Sequence, residues 1–380
     1  MGVQIPDLPS DHLMTRDPRL DVFRGLALVI ILIDHLPLNF WSGFTLGQFG
    51  LSDAAEGFVL ISGVATGLAY GDAFRSPPHV MTGLRRIGHR VWTIYLVQIV
   101  ITVLALGLSA GLARWFGIPE MAGINQAGAV FADPQSAMIR IPLLAQHLNY
   151  VDILPVYIVL LGAAPVMLWL AWRWPLVLLL ASVGLWVAAS LNGLNLPNHP
   201  GTTGWFFNPL AWQLIFVIGI LIATAMKQGR RLVPVTPWLL VPACAILVLG
   251  LVLQRVAPLN DALWSWREQA IQAGVPPLLT ALEKTFLPLP RLLHALALAY
   301  VLSCFAVVRQ VCASRPLAPF ALLGRQALPV FATICVLNFA MQSVRVKTGI
   351  DFALDSAMLA VALALVFALA AARQYWPRQG

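Results

Sequence analysis

The chain has 380 residues, 59% hydrophobic and 11% charged, with a mean hydropathy of +0.81. A soluble domain carries about 25% charged residues, so this composition excludes a soluble globular chain and indicates an integral membrane protein. The net charge of +8 sits mostly in short loops between apolar runs, which is a topology signal rather than a nucleic-acid surface.

Residues 1–21 contain Asp11, Asp17 and several prolines and no apolar core, so they read as a cytoplasmic N-terminal segment and not as a signal peptide. Ten apolar runs of roughly 20 residues follow. They lie at about 22–40, 52–70, 90–112, 152–171, 175–192, 209–226, 237–254, 291–309, 319–342 and 354–373. Their length predicts helices rather than the short alternating strands of a barrel. The fold class is thus an all-α polytopic membrane protein, a bundle of about ten transmembrane helices. Pro329 predicts a kink in the ninth. Most arginines and lysines share a side with the N-terminus, which predicts cytoplasmic termini. Two loops on the opposite side are long, 113–150 and 255–290. The first contains the amphipathic stretch DPQSAMIRIPLLAQHLNY, expected to lie flat in the interface. No linker is long enough for a second domain, so 1–380 reads as one transmembrane domain. Cys244, Cys304, Cys312 and Cys335 show neither CxxC nor zinc spacing and read as reduced packing residues, with no metal.

Chemistry-bearing residues begin in the first span, RLDVFRGLALVIILIDHLPLNF. Arg24 and His35 are 11 residues apart, three helical turns plus about 20°, so they share a face some 16 Å apart. With Arg24 at the cytoplasmic edge, His35 is expected near the middle of a ~30 Å core. Asp34 beside it points about 100° away. Ionisable groups at such depth are expensive and mark function. The second span opens LSDAAEG: Asp53 and Glu56 are three apart on one face, placed either to support a histidine or to cap the helix. Gly57, Gly63, Gly67 and Gly71 recur at about one turn and predict close helix packing. Arg75, Arg85, Arg86 and Arg90, with His79 and His89, form a basic cluster at the start of the third span; guanidinium forks suit phosphate. Asp152 and Tyr157 open the fourth span, as a cap and belt residue or as part of a site. The segment PNHPGTTGWFFNPLAWQ brings His199, Trp205, Phe206, Phe207, Asn208 and Trp212, either to stack on sugar or to form an interfacial belt. No GxxxxGK[ST], HExxH or GxSxG occurs, and Ser62 reads as a packing residue.

These stretches carry a resemblance. RLDVFRGLALVIILIDH resembles the first span of the membrane-bound acyltransferases of family 3, an LD-x-x-RG start with a histidine eleven residues after the arginine. GFVLISG is similar to their second-span motif, RRIGHRVWTIY to their basic third-span motif, and YVDILPVY to their fourth-span segment, with Asp152 where those proteins have glutamate. DVFRGLALVIILIDHLP followed by FGLSDAAEGFVLISG resembles the OpgC family more specifically. That resemblance implies an enzyme of the bacterial inner membrane that moves an acyl group, expected to be succinyl, from cytoplasmic acyl-CoA to a periplasmic glucan, with no permanently bound cofactor. It implies His35 as base, with Asp34, Glu56 or Asp53 orienting it. It further implies Arg24, Arg85, Arg86 and Arg90 on the donor, and Asp152, Tyr157 and Trp205 on the acceptor. An acyl-His35 intermediate is the other route. An acyltransferase for another envelope sugar fits the same residues. So does a proton-coupled transporter, although the internal repeats common in such proteins are not visible.

Overall fold

The computed structural model describes residues 17–76, 78–201 and 203–375, and all regular structure among them is helical. Residues 1–16 of the expected N-terminal segment, with Arg16, and Arg378 of the charge pattern lie outside the described residues. In chain order the helices are α1 (Pro18–Asp34), α2 (Ala54–Tyr70), α3 (Val80–Trp115), α4 (Ala127–Ala132), α5 (Pro134–Arg140), α6 (Ile153–Arg173), α7 (Pro175–Asn192) and α8 (Pro209–Lys227). They continue as α9 (Pro237–Arg255), α10 (Ala257–Gln272), α11 (Pro277–Thr280), α12 (Leu289–Cys304), α13 (Ala306–Cys312), α14 (Ala318–Arg325), α15 (Ala327–Thr348) and α16 (Phe352–Tyr375).

Eight helices among the described residues are long and apolar enough to cross a membrane, and the chain is a multi-pass membrane protein. Four of the ten expected spans differ from the sequence reading; the third, expected at 90–112, starts ten residues earlier, at Val80, because its basic segment is helical as well. The first helix stops at Asp34 instead of running to Phe40. Pro37 has no N–H to give and its ring would collide with the Ile33 carbonyl, so the helix cannot continue through it. Asn39 then caps the end, its Nδ2 donating to the Ile33 and Leu36 carbonyls at 2.8 and 2.6 Å. The run 291–309 breaks at Phe305, where α12 and α13 meet at 86°. The run 319–342 divides at Gln326 into α14 and α15; Pro329 lies in the first turn of α15, where a missing N–H costs nothing. The two long loops are themselves largely helical. The expected amphipathic stretch is helical only over α5, and α10 and α11 fill most of 255–290.

The bundle is organised around α8. Its sequence is apolar on every side, and 78% of its spanning window is buried, against 11% for α9, which faces outward. Small residues set how closely α2 approaches α8. A Cβ on Gly63 would collide with the Phe216 carbonyl, and one on Gly219 with the Leu60 carbonyl. Gly67 lies against Ala223, so the two backbones touch along a seam. Gly57, from the same stripe, meets nothing within 4 Å, so the expected four-residue packing face reduces to its middle. Gly63→Ala should therefore lower the apparent Tm of the protein in detergent, by an overpacking cost of about 1–3 kcal/mol. Gly57→Ala should leave the Tm unchanged. Equal unfolding temperatures for the two variants would contradict the seam.

Candidate active site

The end of α1 defines the site. Because the helix terminates after Asp34, His35 becomes its C-cap, and the backbone that follows turns across the mouth of the bundle. The His35 carbonyl accepts from Gln342 Nε2 on α15 at 2.8 Å, and Gln342 Oε1 accepts from Asn125 at 2.6 Å. The imidazole lies 4.8 Å from the Tyr150 ring, and its buried Nδ1 has no protein partner. The backbone of His35 is thus fixed, while a ring nitrogen keeps its hydrogen-bonding capacity.

A cavity of about 340 Å³ surrounds this histidine, at the lower end of the range for small-molecule sites. Asp34, His35, Asp53, Asp152 and Lys284 line it, with Tyr150, Phe58, Phe206, Phe207 and Phe331 among its apolar and aromatic wall. Four of the expected site residues (Asp34, His35, Asp53 and Asp152) are therefore neighbours in space. Asp152 stands ahead of α6 without making a side-chain capping bond, and burial pushes its carboxyl up to about 6.

Asp53 and Glu56 have other employment. They form a capping box at the start of α2: Asp53 Oδ1 accepts from Ala55 N at 2.9 Å, and Glu56 Oε2 from Asp53 N at 3.0 Å. Their remaining oxygens face cations. Glu56 Oε1 accepts from Arg291 Nε at 2.7 Å, and Asp53 Oδ2 pairs with Lys284 Nζ at 2.5 Å and Arg291 Nη2 at 3.2 Å. Burial opposes ionisation of Asp53, but Lys284 and then Arg291 outweigh it, so its carboxyl stays well below the usual carboxylate range. Glu56 is fully buried and does not line the cavity.

Lys284 arrives on the segment 281–288, whose carbonyls are held from three directions. Trp212 Nε1 donates to Lys284 O at 2.8 Å, and Trp186 Nε1 to Phe286 O and Leu287 O at 3.2 and 3.0 Å. Arg291 Nη1 donates to Leu282 O at 3.2 Å. In the sequence Lys284 is one of the charges of the loop 255–290 and Arg291 the first residue of the run after it. Nothing in their spacing pairs them with acids more than 200 positions earlier.

The other expected residues lie elsewhere. α1 and α2 run antiparallel, so Tyr70 and the start of α3 are at the end opposite His35, roughly 25 Å away along α2. Arg85 and Arg86 are exposed there and Arg90 half-buried, with the Arg86 guanidinium 5.3 Å over the Tyr70 ring. Arg24 is half-buried on α1. Tyr157 packs edge-on against Phe216, 6.3 Å away, and does not line the cavity. Trp205 is buried, with its indole donating to Pro197 O at 3.0 Å; its neighbours Phe206 and Phe207 reach the cavity instead. Among the described residues, no group of three or more His, Cys, Asp or Glu is arranged to hold a metal ion.

Arg291 is the group on which this charge balance turns. Arg291→Met should destabilise the protein by about 3–5 kcal/mol, because Glu56 is left buried and unpaired. Adding Glu56→Gln should recover part of that loss, read as Tm in detergent. Equal Tm values for wild type and Arg291→Met would refute the pairing.

No curated protein and no solved structure shows significant similarity to the chain. A family model described as OpgC protein matches residues 16–378, nearly the whole length, and that membership points to a glucan-modifying acyltransferase of a membrane. The chain belongs to the OpgC family.

Proposed function

We propose that the chain is an O-acyltransferase that moves a succinyl group from cytoplasmic acyl-CoA to a hydroxyl of a periplasmic glucan. In this reading it lies in the bacterial inner membrane with both termini cytoplasmic, works as one transmembrane unit over 1–380, and keeps no resident cofactor. The observation that supports it most is the cavity, in which a histidine with a free buried ring nitrogen meets three carboxyl groups and one ammonium.

A ring nitrogen of His35 takes the proton of the sugar hydroxyl, and the freed oxygen attacks the thioester carbonyl. The carbonyl oxygen gains charge as the carbon becomes tetrahedral. Lys284 Nζ donates to it, and this donor is already in place because its backbone is pinned. The C–S bond then breaks, and the thiolate leaves as CoA with the proton that the imidazolium returns. Asp34 and Asp152 share the cavity with the imidazole and favour its charged form. Asp53 and Glu56 act through others: Asp53 holds Lys284, and Glu56 holds Arg291. Arg24, Arg85, Arg86 and Arg90 are placed to receive the donor's phosphates from the far end of the bundle. On the acceptor side, Asp152 is joined by Phe206 and Phe207. Trp205 braces the segment that presents them, and Tyr157, packed against Phe216 and outside the cavity lining, makes no acceptor contact.

Glucan-dependent CoA release by the purified protein in nanodiscs, offered succinyl-CoA and acetyl-CoA, tests the reading. His35→Ala should abolish release while eluting as the same monodisperse particle; full activity in that variant would remove the base. Lys284→Met keeps the unbranched stem as far as Cε and removes the charged nitrogen. It should lower kcat by about 10²–10³-fold with donor KM little changed. A loss confined to KM would make Lys284 a binding group and leave the developing oxyanion to another donor.

A further inference from the structure

Beside the reaction cavity lies a second recess of about 250 Å³, and Asp53 lines both. Its polar wall is Ser52, Gln254, Glu283 and Arg291, and its aromatic wall is Trp264 of α10. None of these polar groups is poised for chemistry, because each is already bonded. Ser52 Oγ lies 2.7 Å from His294 Nδ1, and Gln254 Nε2 donates to the Gly47 and Gly50 carbonyls at 3.1 and 3.3 Å. Glu283 is paired with Arg267, and Arg291 with Glu56 and Asp53. The charges in the recess are thus neutralised in place, and the wall needs no rearrangement to bind. The indole of Trp264 is half-exposed, and one face is covered by the Arg267 guanidinium 4.8 Å from its centre, which fixes the ring plane.

A preformed, internally neutral recess with one oriented aromatic ring suits an uncharged polyhydroxylated ring better than an anion. We infer that this recess is an acceptor subsite, holding a hexose unit of the glucan next to the unit that is acylated over His35. The inference rests on the acyltransferase reading for its acceptor. The chain crosses the Asp53 wall between the two recesses. Phe206 and Phe207 contact the unit in the first and Trp264 the unit in the second. The enzyme therefore prefers acceptors of several units over a single glucose.

The test is titration calorimetry of the full-length protein in nanodiscs, without donor, against glucose and a glucose hexasaccharide. The hexasaccharide should bind about tenfold tighter than glucose in wild type. Trp264→Ala should shrink that ratio to about twofold or less, and Trp264→Phe should keep most of it. In the transfer assay Trp264→Ala should raise the KM for the hexasaccharide about tenfold with kcat held within about twofold. Equal binding of both sugars by wild type, or an unchanged ratio in Trp264→Ala, overturns the subsite. The two proposals fail separately. Trp264-dependent binding in a protein that transfers nothing upholds the subsite and sinks the acyltransferase reading, while transfer indifferent to Trp264 does the reverse.

Discussion

Everything at this site depends on charge neutrality in a poorly solvated place. Asp53, Glu56, Lys284 and Arg291 come from the start of α2 and from the segment leading into α12, and none is tolerable there alone. Removing one partner of a buried pair strands the other, and that penalty exceeds the net worth of the pair itself. The four charges therefore make the two parts of the chain mutually dependent. α2 cannot start where it does without Arg291, and Lys284 cannot point into the cavity without Asp53. The capping box adds a backbone reason for the same arrangement, because Glu56 satisfies the Asp53 amide as well as Arg291.

The histidine end is fixed by different means. Pro37 stops α1, Asn39 satisfies the carbonyls that the stop exposes, and Gln342 binds the one on His35 itself. Arg345, which is paired with Asp355 on α16, donates to Leu38 O at 3.1 Å. These contacts spend backbone groups and leave the imidazole nitrogen available. On the other wall the indoles of Trp186 and Trp212 do the same for the Lys284 segment. Both groups that would touch the reacting atoms are thus held by their backbones; the His35 Nδ1 has no protein partner, and the Lys284 ammonium, paired with Asp53, has three N–H donors and so keeps others for a ligand.

Local pattern made the fold class readable, and also the neighbourhood of His35. Apolar run length announced the helices. An aspartate and a histidine inside the first apolar run, and acids in the openings of two others, are residues that the fold gathers at one end of the bundle, with His35 at the end of α1 rather than partway along it. HLPLN contains the stop and its cap: Pro37 ends the helix and Asn39 takes the exposed carbonyls, so a span drawn to Phe40 on apolar length alone runs past both. Asp53 and Glu56 at capping-box spacing fitted both readings, and their cap bonds take up the backbone amides of Ala55 and Asp53. Lys284 and Arg291 were beyond reach. Their partners are set by tertiary contact between distant segments, and no period or spacing in one chain encodes that. The arginines of α3 were readable as a cluster, but their distance from the cavity follows only from the antiparallel course of α1 and α2.

The glycine seam between α2 and α8 bears on more than packing. Where Gly63 and Gly219 bring two backbones into contact, no column of water fits between them. An ion or proton therefore finds no conducting wire along that interface. A water-filled interface in a multi-pass membrane protein would be a leak, and this seam closes one route. In the proposed transfer the proton of the hydroxyl leaves on the CoA thiol by way of the cavity, so the reaction needs no conducting path through this seam.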